Sequence, residues 1–212
     1  MMTIPEEIRL MSKSLLEGAG IPVNDNLPLL DIREVRSGQD AACRLVILYV
    51  LGALLEGVAS DKLVSWLEAE RLASHLSPRE INFLSGRILT QAEENELSWK
   101  QESLFVLSWA GGLVKELGLP VAECDLTDVF PKIPRAVSVT EFMDSYRRRS
   151  HVHILSALDA HYCIHHALRH EELWAPSTFP GVLHETVAIE RRIALEWLAD
   201  ANAVWDDIDL DT

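Results

Sequence analysis

Apolar residues along this chain recur every three or four positions, and short polar runs with helix-start chemistry separate the apolar stretches. Thr3 with Glu6, Ser77 with Glu80, Thr90 with Glu93 and Ser138 with Glu141 each set a hydroxyl three residues ahead of a glutamate. In that spacing the hydroxyl accepts the third helical amide and the glutamate reaches back to the cap amide. Pro5 and Pro78 stand in first turns, where a missing N–H costs nothing. Ser37 with Asp40 is a weaker version ahead of the most apolar run. The pattern predicts helices over 4–17, 38–58, 61–73, 78–85, 91–117, 139–147, 151–173 and 182–203. Alternating strand patterns and tight hairpin dipeptides are missing, so the fold expected is all-α, one compact domain of about eight helices with no sheet.

No repeat at a solenoid period and no low-complexity linker divides residues 1–212. The longest gap between helices, Gly118 to Pro134, carries Leu126, Val129, Phe130 and Ile133, which predicts a packed irregular segment. Leu45 to Leu55 is the most apolar run, eleven uncharged residues. A membrane span needs about 20, so this run reads as a helix inside the protein.

Charge narrows the function classes. The 212 residues hold 33 acidic and 19 basic side chains, a net charge of −14. The excess is spread over both halves, −6 in residues 1–106 (10 basic, 16 acidic) and −8 in residues 107–212 (9 and 17). Nucleic-acid binding draws on clustered Lys and Arg, and docking on anionic lipid does too, so neither is expected. Cys43, Cys124 and Cys163 are an odd, widely spaced set, which suits a reducing compartment. The first twenty residues lack the basic and apolar regions of a signal peptide. Cytoplasmic is the expected location.

Six of the eight histidines fall between 151 and 170. Asp159, Cys163, His166 and His170 lie within about 60° of one another on a helix wheel, and these are zinc-ligand types. One helix seldom closes a tetrahedral site, so a polar helix face is the stronger reading and the metal stripe the weaker alternative. His161 and His165 form a second pair one turn apart. Arg147, Arg148 and Arg149 are the single basic run, and pairing with nearby carboxylates is the reading ahead of a phosphate patch. Arg192 and Glu196 have i, i+4 spacing. No nucleophile motif, phosphate loop or dinucleotide fingerprint occurs, and no cofactor is expected.

Several phrases together resemble a known family: Ala19–Pro28 (AGIPVNDNLP), Glu34–Ser37 (EVRS), Leu76–Glu80 (LSPRE), Ser98–Leu104 (SWKQESL) leading to Trp109-Ala110, Leu158–His165 (LDAHYCIH) and the ending Trp205–Thr212 (WDDIDLDT). They are similar to the domain-of-unknown-function family 4272, mainly bacterial helical proteins of about this length. The resemblance covers nearly the whole chain and implies no particular activity. Ser145, Arg147, Arg149, Asp159, His165, Arg169, Arg191, Arg192, Trp197, Trp205, Asp206 and Asp211 match the family pattern, whereas Cys163, His161, His166 and His170 do not. The resemblance thus implies a ligand-binding cluster of Arg147, Arg149, Asp159, His165 and Arg169. It also implies a structural network of Arg191, Trp197, Trp205, Asp206 and Asp211 that docks an acidic tail, 204–212, on the body. Asp159 and Arg169 are expected to clamp different parts of that tail.

Two functions follow as expectations. The first is a non-enzymatic interaction protein whose acidic surface binds a basic partner. The second is an enzyme or small-ligand binder for an anionic ligand, using the Arg/His/Asp cluster. The sequence is silent on oligomeric state.

Overall fold

The computed structural model describes residues 2–127, 129, 133, 137–170 and 180–210, and among them it is helical with no strand. Among the described residues eight α-helices run α1 (Ile4–Gly18), α2 (Gly38–Leu55), α3 (Ser60–Ala69), α4 (Pro78–Phe83), α5 (Gln91–Ala110), α6 (Val139–Ser145), α7 (His151–Arg169) and α8 (Glu185–Ala199). Short 3₁₀ turns occur at Ala73–His75 and Trp205–Asp207. The glutamates three residues after Thr3, Ser77, Thr90 and Ser138 all bond back to the cap amides. Ser37 caps α2 through the amide of Asp40. Ser150 and the His184 imidazole cap α7 and α8, two starts that carry no hydroxyl–glutamate signature.

Several helices are shorter than their apolar patterns. Helix α5 stops at Ala110 rather than 117, because Gly111 is followed by Gly112 at φ +81°, a left-handed turn that glycine adopts without strain. Gly57, at φ +84°, follows the end of α2. Helix α3 ends at Ala69, and Arg71, a non-glycine residue at φ +62°, turns the chain away from 70–73. Helix α8 spans 185–199 instead of 182–203, and α7 ends at Arg169; the expected extension over 171–173 lies outside the described residues.

The helices pack in a row that differs from chain order: α1 on α7, α7 on α8, α8 on α5 and α5 on α2, with α3 and α6 against α2. Helix α2 has the length and apolar composition to cross a membrane, yet ten of its eighteen residues, including Leu45, Val46, Ile47 and Leu51, are buried between its neighbours. It is a core helix at the α5 end of the row. Ile8, Ser12 and Leu16 form the single stripe by which α1 is buried. In the Gly118–Pro134 segment Leu126 packs on the core and Ile133 is buried within it, while Phe130 lies outside the described residues.

Buried ion pairs fasten the row. Arg9 of α1 grips Asp159 of α7 with two nitrogens, 2.9–3.2 Å, and also donates to the carbonyls of Leu27 and Pro28. Arg44 of α2 donates to both carboxylate oxygens of Glu80 at 2.5 Å. Arg191 of α8 meets Glu102 of α5 at 2.8 Å and donates to Leu117 O. Breaking such a pair leaves a buried charge, at a cost of about 3–5 kcal/mol.

Candidate functional site

The C-terminal end of α8 is where distant parts of the chain meet. Residues 34–36 lie alongside it: Arg36 N–H donates to Leu198 O (2.9 Å) and Ala201 N–H to Glu34 O (2.7 Å). Arg36 then spends its guanidinium on helix-end carbonyls, those of Trp197, Asp200 and Ala203 (3.2, 2.9 and 2.6 Å). A cation at a helix C-terminus is favoured by the helix dipole. The chain turns back there and buries Trp205 edge-on against Trp197, centroids 5.3 Å apart at 90°. The Arg79 amide donates to Asp206 at 3.0 Å. Arg192 Nη1 reaches Leu210 O at 3.4 Å. Residues 203–210 are therefore docked, held from α8, from α4 and from the segment before α2.

Between this docked segment and residues 30–33 lies a cleft of about 370 Å³. Its apolar side includes Leu30, Leu158 and Ile208, and its charged groups are Asp31, Glu196, Asp200, Asp207, Asp209 and Arg33. Five carboxylates against one guanidinium give a formal charge of −4. Arg33 pairs with Asp200 at 2.6 Å and with Asp31 at 3.3 Å. That pairing holds the Asp200 carboxyl below its usual range. Glu196 is held at 3.2 Å by Arg192 behind it, and its partial burial still raises its pKa. Asp207 and Asp209 are exposed at the rim.

The family model described as Domain of unknown function (DUF4272) matches residues 9–208. The chain belongs to that family. No curated protein and no solved structure matches it. The matched span takes in all of the DUF4272 cleft except Asp209.

The residues singled out in the sequence of this DUF4272 chain go to separate places. Arg149 caps α5, donating to the carbonyls of Trp109, Val114 and Lys115 at 2.7–2.9 Å and lying over the Trp109 ring. Arg147 is exposed and bonds the carbonyls of Asp144 and Tyr146; Arg148 bonds that of Arg149. Among the described residues the basic run thus pairs with carbonyls, because the open ends of α5 and α6 face it, rather than with carboxylates. Asp159 is buried on Arg9, so it anchors α1 and does not clamp the tail. His165 accepts from Arg192. Arg169 is exposed on the last turn of α7. Helical geometry separates the five, and they face different partners.

Of the tail network, Trp197, Trp205 and Asp206 lie together, Arg191 works elsewhere on Glu102, and Asp211 lies outside the described residues. The four residues of the metal stripe have other neighbours. Asp159 is occupied by Arg9, and burial drives the Cys163 thiol up to about 12. His166 and His170 stack on each other at 4.5 Å. Among the described residues no three metal-ligand types gather. Arg36, Arg44 and Arg79, which position the docked segment, were missed as site residues although two of the quoted phrases, EVRS and LSPRE, contain Arg36 and Arg79.

Proposed function

We propose that this protein acts without catalysis, by binding a basic protein partner that inserts an arginine or lysine side chain into the cleft at the end of α8. One observation carries the reading: the chain's own Arg33 sits on Asp31 and Asp200, while Glu196, Asp207 and Asp209 surround the remaining space. Leu30, Leu158 and Ile208 give an apolar bed for the aliphatic stem of a long basic side chain, and the carboxylates meet its head. The −14 net charge steers a cationic partner toward any face and repels acidic competitors. Three free thiols accord with work in a reducing cytoplasm.

A hexa-arginine peptide, titrated calorimetrically at two salt concentrations, tests this. Removing the cleft charges together (Glu196→Gln, Asp207→Asn, Asp209→Asn) is expected to weaken binding about tenfold or more, on the roughly 0.5–1 kcal/mol that each exposed charge pair contributes. Removing three remote charges (Glu7→Gln, Asp61→Asn, Glu68→Gln) is expected to change it far less. Equal losses from both triples would reduce the cleft to a share of the general field and sink the assignment.

A further inference from the structure

A second cavity, of about 160 Å³, lies on the other side of the docked segment and shares only Ala203 with the acidic cleft. Its character is the opposite. Arg36 and Arg44 both line it, with Trp197 and Trp205 as aromatic walls and Cys43 and His75 completing the niche. Asp40 also lines it, with one carboxylate oxygen accepting from the Ser37 hydroxyl at 2.7 Å. The guanidiniums are stacked on indoles: Arg36 lies 4.0 Å from the Trp197 centroid, and Arg44 lies 5.0 Å from that of Trp205.

Two features of these arginines are unusual for a structural role alone. The Arg44 side chain is 91% buried (9% exposed); Nη1 is on Glu80 and Nη2 on His75 O, but its Nε–H is buried with no acceptor. A buried donor left without an acceptor costs about 1–3 kcal/mol. Arg36 is half-buried, its hydrogen bonds go only to carbonyls, and no carboxylate forms an ion pair with it among the described residues. Burial lowers its pKa, and the neighbouring Arg44 charge lowers it further against the pull of Asp40 and Asp200. The two guanidiniums thus share a narrow space, Arg44 paired with Glu80 and Arg36 held by carbonyls alone.

We infer that this niche binds a small oxyanion, a short carboxylate or inorganic phosphate, between the guanidiniums of Arg36 and Arg44. An oxyanion there would give Arg36 the ion-paired partner that its carbonyl acceptors do not supply. The donors set the class: two guanidiniums between indole walls suit the oxygens of acetate or phosphate. The site is independent of the acidic cleft, which takes cations.

Tryptophan fluorescence and thermal melts of the full chain, titrated with sodium phosphate and separately with sodium acetate against sodium chloride of equal ionic strength, test the inference. One oxyanion at ten times its dissociation constant should raise the melting temperature by about 4 °C over chloride and change the Trp emission. Whichever of the two acts identifies the source of the oxygen atoms. Arg36→Gln should remove that shift. Cys43→Leu, which fills the niche from α2 while leaving both arginines in place, should remove it too, so the test survives if Arg36→Gln does not fold. Remote Arg87→Gln should keep it. The inference is overturned if chloride matches both oxyanions, or if the shift persists in Cys43→Leu.

Discussion

Arg192 donates through Nη1 to Nδ1 of His165 over 2.7 Å, in the seam between α7 and α8. Nδ1 must therefore be the acceptor, and the neutral ring carries its proton on Nε2. Burial comes first in lowering the His165 pKa, to about 4, and the Arg192 charge adds to it. His161, fully enclosed, is lowered to about 4 by burial as well.

Stability should accordingly fall on mild acidification. Above pH 6.5 both rings are neutral folded or unfolded, and their burial costs nothing in protons. Between 6.5 and 4 the unfolded chain binds two protons that the folded chain refuses, so stability drops as pH drops, by up to about 1.4 kcal/mol per pH unit for each ring. Melting temperatures from pH 7.5 to 4.5 read this slope. His165→Gln should remove about half of it, and an unchanged slope in that variant would reject the assignment.

Asp159→Ala should destabilise by about 3 kcal/mol in urea, because it strands the Arg9 guanidinium against the carbonyls of Leu27 and Pro28. Replacing the pair together, Arg9→Met with Asp159→Leu, should recover most of the loss, since two apolar side chains need no counter-charge.

Gly111 sits under the ring of Tyr146: an added methyl would lie 2.1 Å from Cε2. The ring cannot retreat without breaking the 2.7 Å bond from its hydroxyl to Leu107 O. Gly111→Ala is expected to cost about 2 kcal/mol. In a Tyr146→Ala background the same change should cost about 0.5 kcal/mol or less, a coupling that a double-mutant cycle measures.

Thiol chemistry should be nearly silent in the native protein. Burial raises Cys43 to about 11 and Cys124 and Cys163 to about 12. At pH 7 each should react with an aromatic disulfide reagent at least about 100-fold slower than free cysteine. Guanidinium chloride should release all three together; a thiol that reacts quickly before unfolding would contradict the burial.

The helices were legible because capping is local. Ser77 and Glu80 are three residues apart, and their reciprocal bonds need nothing beyond that spacing. The order of packing was not, since Arg9 and Asp159 meet across 150 residues with no mark in either segment. The site was hidden for the same reason. Asp31 and Asp209 are unremarkable in so acidic a chain until Arg36 fastens one end of the fold to the other. Histidines drew the eye on a helix wheel, which records direction but not depth; His161 and Cys163 point into the interior, where a metal ligand's charge is unwelcome.

The acidic cleft joins residues 30–33 to residues 196–209, so its two walls are made at opposite times during synthesis. While the chain is still on the ribosome the first wall waits, exposed, for a counterpart some 165 residues later. On the proposed reading, a cationic partner that arrives before the second wall is made finds no seat. On the same reading, recognition through this cleft begins only once residues 196–209 have been made and docked, and deleting residues 203–210 would abolish it while leaving α1 to α7 in place.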